Sequence, residues 1–169
     1  MTRQALARVL ALAVVAGTAA ACSSQTFEAA PTNFAGNYSV NVTPTNDGCQ
    51  FGWKPDANTV DFTIVQQPNK ADMVGTIGGW VGGVLSLAGI NSLSGSASAS
   101  SFVLTTTSKD LVDKQCTYQI LAKAEGSMTT KDFITGTLKY TYVKATGVCP
   151  GRTVGCESTQ SFNGSRPPT

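Results

Sequence analysis

Beyond residue 35 the chain repeats its apolar residues with period two, and no window carries a helical stripe. In Gly36 to Thr43, Tyr38, Val40 and Val42 alternate with Asn37, Ser39 and Asn41, the spacing of a half-buried strand. Thr59 to Gln67 does the same through Val60, Phe62 and Ile64. The clearest case sets Ile134, Gly136, Leu138, Tyr140 and Tyr142 against Thr135, Thr137, Lys139 and Thr141. Such a chain must bury one face of many short strands, so it is expected to be all-β.

Further strands are predicted at Met73 to Ile77, Gly83 to Leu87, Leu93 to Ala99, Phe102 to Thr107, Cys116 to Glu125 and Ser158 to Phe162. Pro68-Asn69-Lys70 supplies turn chemistry between two of them. Asp110 to Asp113 reads as a single helical turn. Strands at these intervals predict an antiparallel up-and-down β-barrel, with a β-sandwich as the alternative. Asp72 to Ile77 is echoed, with one insertion, by Asp132 to Leu138, and two hairpins built alike favour a meander. The opening Gly-x-Tyr-x-Val strand followed by short alternating hairpins resembles small lipocalin-like or avidin-like barrels. That resemblance implies the architecture and carries no ligand residues onto this chain.

The first residues are of another kind. Arg3 and Arg8 precede the apolar run Val9 to Ala16, which leads into Gly17-Thr18-Ala19-Ala20-Ala21. A charged start, an apolar stretch far shorter than the roughly 20 residues of a spanning helix, and small residues at its end read as a removed export signal, 1–21. Ala19-Ala20-Ala21-Cys22 resembles the lipobox of bacterial lipoproteins, which implies that the Cys22 thiol takes a diacylglyceryl group and becomes the new terminus. Two acyl chains hold a protein on a bilayer without a transmembrane segment. By the sorting of Gram-negative lipoproteins, Ser23 implies the outer membrane. The family prefers Leu where this chain has Ala19, so cleavage after Ala21 and secretion stand as the alternative. Residues 22–33, with Pro31 and little periodicity, read as a tether, and residues 34–169 as one domain of ordinary size.

Cysteine arithmetic bears on that reading. The chain has five cysteines. Acylation of Cys22 leaves Cys49, Cys116, Cys149 and Cys156, an even set for two disulfides. A local Cys149 to Cys156 bridge across Pro150 to Gly155 is sterically easy, worth about 2.5 kcal/mol by loop entropy, with Cys49 to Cys116 worth about 4 kcal/mol. Three pairings stay open on paper. No Cys-x-x-Cys occurs and the chain has no histidine, so a metal site is disfavoured and no cofactor is implied.

Absence of histidine also excludes Ser-His-Asp and Cys-His nucleophiles. No Ser-x-x-Lys occurs; Thr106 to Lys109 and Thr141 to Lys144 share only its spacing and fall in strand patterns. The carboxylate pairs Asp56 with Asp61 and Asp110 with Asp113 leave an envelope glycan hydrolase as the alternative function, against the simpler reading of solvated turns. Removal of Arg3 and Arg8 from twelve basic side chains leaves ten, facing ten acidic ones, so there is no basic footprint for nucleic acid. Charged residues are 13% of the chain, about half the usual share, and Ser, Thr and Asn must supply the polar surface. Asn37, Asn41 and Asn163 sit in glycosylation patterns that are idle in a bacterium.

The stretch from Met73 to Ser108 contains no charged side chain. Gly75, Gly78, Gly79, Gly82 and Gly83 within it form overlapping Gly-x-x-x-Gly patterns, yet two strands joined by a glycine bend fit as well as a membrane helix. Trp80 at that bend, with Tyr140 and Tyr142, is a candidate ligand contact, whereas Trp53 is expected to pack beside a disulfide. The leading expectation is a non-enzymatic envelope lipoprotein that binds a small apolar ligand or an envelope protein near Trp80. A purely structural surface lipoprotein is the third class.

Overall fold

The computed structural model describes residues 32–87 and 89–167, with the side chains of residues 80, 81, 84 and 87 outside the description. The expected leader, Cys22 and the tether as far as residue 31 lie outside it too. Nine strands and one helix follow one another: β1 (Gly36–Asp47), β2 (Asn58–Gln66), β3 (Asp72–Ile77), α1 (Gly79–Leu87), β4 (Ser92–Ser98), β5 (Ser101–Thr106), β6 (Leu111–Asp113), β7 (Cys116–Thr130), β8 (Phe133–Gly147) and β9 (Glu157–Ser165).

All pairings are antiparallel, in the order β5-β4-β3-β2-β1-β9-β8-β7, and β5 then pairs with β7. That last ladder, Ser101↔Ser127 through Thr105↔Lys123, closes eight strands into a barrel. Closure decides barrel over sandwich and removes the unpaired edges that an open sheet would present. The short β6 lies beyond the closed circuit on the start of β7, Val112 opposite Thr117.

Alternation places the expected residues inside. Tyr38, Val40 and Val42 of β1 are buried between exposed Asn37, Ser39 and Asn41. Phe62, Ile64, Leu93, Phe102, Leu104, Ala124, Ile134 and Phe162 complete one core. Glycine makes room for its rings: a Cβ on Gly75 would stand 2.6 Å from the Phe62 ring, and one on Gly126 would stand 2.6 Å from Phe102. A closed eight-stranded barrel has just enough interior for side chains, so large rings need small residues on the neighbouring strand.

The end carrying the β2–β3 and β7–β8 turns is shut. Phe34 is fully buried, meeting Phe102 edge-on at 5.2 Å. Its N–H donates to Gln66 Oε1 at 2.7 Å and its carbonyl accepts the Tyr38 hydroxyl at 2.9 Å. Arg166 ties this segment to the β7–β8 turn: Nε donates to Asp132 Oδ1, Nη2 to the Lys131 carbonyl, and Nη1 to the carbonyls of Asn33 and Ala35.

Two local expectations are corrected, and the disulfide pairing left open is decided. Gly83 to Leu87 is not a strand but the second half of α1. The run is apolar on every face, so periodicity could not separate helix from strand. What decides is close backbone approach: a Cβ on Gly82 would stand 2.1 Å from the Ile77 carbonyl oxygen, at the end of β3. Asp110 to Asp113 is not a helical turn, because Leu111–Asp113 forms β6, hairpinned to β7 through Lys114 at φ 54°. Finally, the bridges are Cys49–Cys156 and Cys116–Cys149, neither of which is the easy local closure. Strand register is the reason. Asp47 pairs with Ser158, which sets Cys49 beside Cys156, and Cys116 pairs with Gly147, which sets it beside Cys149.

Candidate functional site

The other end of the barrel is open. There β1 and β8 end, β2 and β4 begin, and α1 spans the passage from β3 to β4. An apolar cavity of about 390 Å³ enters the barrel at this mouth. Val42, Val60, Ile77, Ile120 and Leu138 form its walls, and Leu85 and Ile90 flank it from α1 and the turn after it. Phe51, Trp53 and Tyr140 stand on the opposite rim, and Asn58 and Gln160 are the polar residues of the lining. A further 20 Å³ lies deeper, against Val40, Phe62, Ala124 and Phe162, where the rings of the core close the axis.

The rim is held by one carboxylate. Asp47 accepts N–H bonds from Phe51 at 2.8 Å, Gly52 at 2.8 Å and Trp53 at 3.4 Å, and its Oδ1 also takes the Ser158 hydroxyl at 3.0 Å. Ser158, fully buried, in turn accepts the Cys49 N–H. A single side chain thus shapes the 48–53 loop and presents Phe51 and Trp53, whose rings stack at 5.2 Å. Trp53 also meets Tyr140 edge-on at 5.4 Å. Burial pulls the Asp47 pKa upward, but the N–H groups of Phe51 and Gly52, the Ser158 hydroxyl and the Trp53 N–H outweigh it, so the net shift is below the ordinary 3.8.

The sign follows from linkage. A carboxylate whose folded pKa is depressed contributes stability that is present above its ordinary value and lost as pH falls through the depressed one. Asp47→Asn keeps one acceptor oxygen and loses the other together with the charge, so it is expected to cost about 1–2 kcal/mol at neutral pH. The gap between native chain and variant should close as pH drops below about 4, measured by urea unfolding across pH 2.5 to 7. A gap that is constant with pH would show that Asp47 holds nothing by its charge.

The expected contacts are distributed unevenly. Tyr140 lines the cavity. Tyr142 is buried one layer behind it, 5.4 Å from Phe51 and edge-on to Tyr118 at 5.7 Å, in a second cluster with Ile120 and Cys49. Trp80 lies in α1 rather than at a bend between strands, and its side chain is outside the description; Leu85 is the helix's described contribution to the wall. Trp53, expected beside a disulfide, lines the mouth, stacked on Phe51. The phase of alternation in β1, β2 and β8 already pointed Val42, Val60 and Leu138 inward. Nothing periodic marks the 48–57 loop; Asp47-Gly48, Gly52 and Pro55-Asp56 signal that the chain turns there but not which side chains it delivers to the mouth.

Among the carboxylates, Asp110 accepts Lys144 Nζ at 2.9 Å and Gln119 Nε2 at 2.9 Å, while Asp113 accepts Arg152 at 2.7 Å. The two therefore serve separate ion pairs. Asp56 and Asp61 are exposed. Thr106, at the head of the Ser-x-x-Lys-like spacing, is buried and its hydroxyl accepts the Ala122 N–H. Among the described residues no group of three or more Cys, Asp or Glu could hold a metal ion, and no helix is long and apolar enough to cross a membrane. Set beside known proteins, the chain matches no protein-family model and no curated sequence.

Proposed function

We propose that this chain is an exported envelope lipoprotein, anchored through Cys22, whose barrel binds a small apolar or amphipathic molecule at its open mouth. The observation that carries the binding reading is the apolar cavity of about 390 Å³ at one end of a barrel whose other end is sealed by Phe34. A dead-end apolar chamber with a few polar groups is the common form of a small-molecule site. Support for the anchor is the cysteine count: the two bridges use all four cysteines of the domain, and the fifth is Cys22 at the end of the lipobox-like stretch. Ser23 directs the proposal to the outer membrane.

N-phenyl-1-naphthylamine, an uncharged apolar fluorophore, is expected to bind at low micromolar concentration with a blue-shifted, enhanced emission. Leu138→Trp, which fills the space between the cavity and its deeper extension, should weaken that binding at least tenfold while leaving Tm within a few degrees. Failure of the probe to bind at 100 micromolar would remove the binding reading. The anchor is tested separately by mass spectrometry of native material, which should show a diacylglyceryl group on an N-terminal Cys22; an unmodified terminus at residue 22 would refute it.

A further inference from the structure

We infer that the molecule held in the barrel mouth bears an uncharged polar head, an alcohol, ester or amide on an apolar body, and that carboxylates and ammonium groups are rejected. This rests on the reading of the mouth as a binding site and adds the class of ligand. Among the described residues the cavity lining contains no Asp, Glu, Lys or Arg. The α1 side chains outside the description cannot alter this, because Met73 to Ser108 carries no charge at all. The nearby Asp47 spends its oxygens on the N–H groups of Phe51, Gly52 and Trp53 and on Ser158. Asp56 and Lys109 are exposed and line no part of the cavity.

An ion taken into such a chamber would lose its hydration and find no opposite charge, a cost that neutral groups with a hydrogen-bond partner escape. Partners for a neutral head are in place. Leu138 pairs with Gln160 and Tyr140 with Ser158 across the β8–β9 ladder, so Tyr140 and Gln160 are diagonal neighbours on the inward face. Among the described residues neither the Tyr140 hydroxyl nor the Gln160 amide makes a side-chain hydrogen bond, and neither has a fully buried polar atom left unpartnered. Both residues line the cavity and neither polar tip is spent on a protein partner, which leaves an O–H donor and an amide that can donate and accept. Burial pushes the Tyr140 pKa up to about 12, which keeps that hydroxyl protonated and the wall neutral throughout the physiological range.

The test uses the mature chain carrying Cys22→Ala, so that no detergent is needed. Displacement of N-phenyl-1-naphthylamine is measured at pH 7.5 with decanol, decanamide, methyl decanoate, decanoate and decylammonium. The three neutral ligands should bind at least tenfold tighter than both ions. On Tyr140→Phe combined with Gln160→Leu, with the fluorophore's own affinity measured again on that variant, decanol and decanamide should lose about tenfold relative to the fluorophore. Ions binding within threefold of decanol, neutral ligands failing to displace a bound fluorophore, or a double variant that still holds decanol as before would each overturn the head-group inference while leaving the cavity as a binding site. No binding of the fluorophore itself would defeat the site reading and this inference together.

Discussion

Replacing Cys49 and Cys156 together by serine is expected to lower the stability of the domain by about 4–5 kcal/mol, the largest effect of any change in the bridges. The bridge spans 107 residues, against 33 for Cys116–Cys149, and the entropy removed from the unfolded chain grows with the logarithm of that span. By loop length alone the two are worth about 5 and about 4 kcal/mol. Position widens the difference. Cys49–Cys156 joins the ends of β1 and β9 beside Ser158 and Asp47, where the rim loop is anchored, whereas Cys116–Cys149 staples the open end of the β7–β8 hairpin, away from its turn. Thermal unfolding by circular dichroism should show a fall of about 15 °C for the first pair and a clearly smaller one for the second. The first variant should also lose fluorophore affinity, since Phe51 and Trp53 depend on the loop it frees. An equal or reversed order of the two Tm values would contradict this account.

Phe34→Ala should cost about 4 kcal/mol, near the upper range for a buried aromatic ring. Its backbone bonds to Gln66 and Tyr38 survive the substitution, so the loss is that of the ring: its transfer from water and the void left against Phe102. Surrounding rings cannot collapse into that void, because Phe102 is held at Gly126 and Tyr38 beneath Arg166, whose guanidinium lies 5.7 Å from its ring centre. Phe34→Leu retains most of the volume and should cost less than half as much. Urea unfolding should show a lower midpoint with an unchanged slope. A loss under 1 kcal/mol would mean that residues 32–35 do not plug the barrel in solution.

Both effects lie at positions that local pattern describes poorly. Phe34 precedes the first alternating strand and stands next to a stretch read as tether, so nothing near it in the chain announces a plug. It becomes one because the end of β2 brings Gln66 to its N–H, and Arg166 after β9, held by Asp132 of the β7–β8 turn, grips the carbonyls of Asn33 and Ala35 on either side of it. The disulfide partners are equally remote in origin. Cys149 and Cys156 are close in sequence and separated by turn residues, yet the ladders Asp47↔Ser158 and Cys116↔Gly147 deliver each to a different strand end.

By itself the amino-acid order determined the all-β class, the inward sets Tyr38-Val40-Val42 and Ile134 to Tyr142, the even cysteines of the domain and the lack of charge from Met73 to Ser108. These are properties of residues one or two positions apart, and alternation along a strand is a matter of which side of a pleat a side chain leaves. Tertiary structure alone decided that β5 meets β7 to close a barrel, that Gly79–Leu87 coils where an apolar run could equally have extended, and that Phe51, Asn58, Leu85, Tyr140 and Gln160 share one mouth. Those outcomes depend on register between segments far apart in the chain, where a shift of one residue would turn every inward side chain outward.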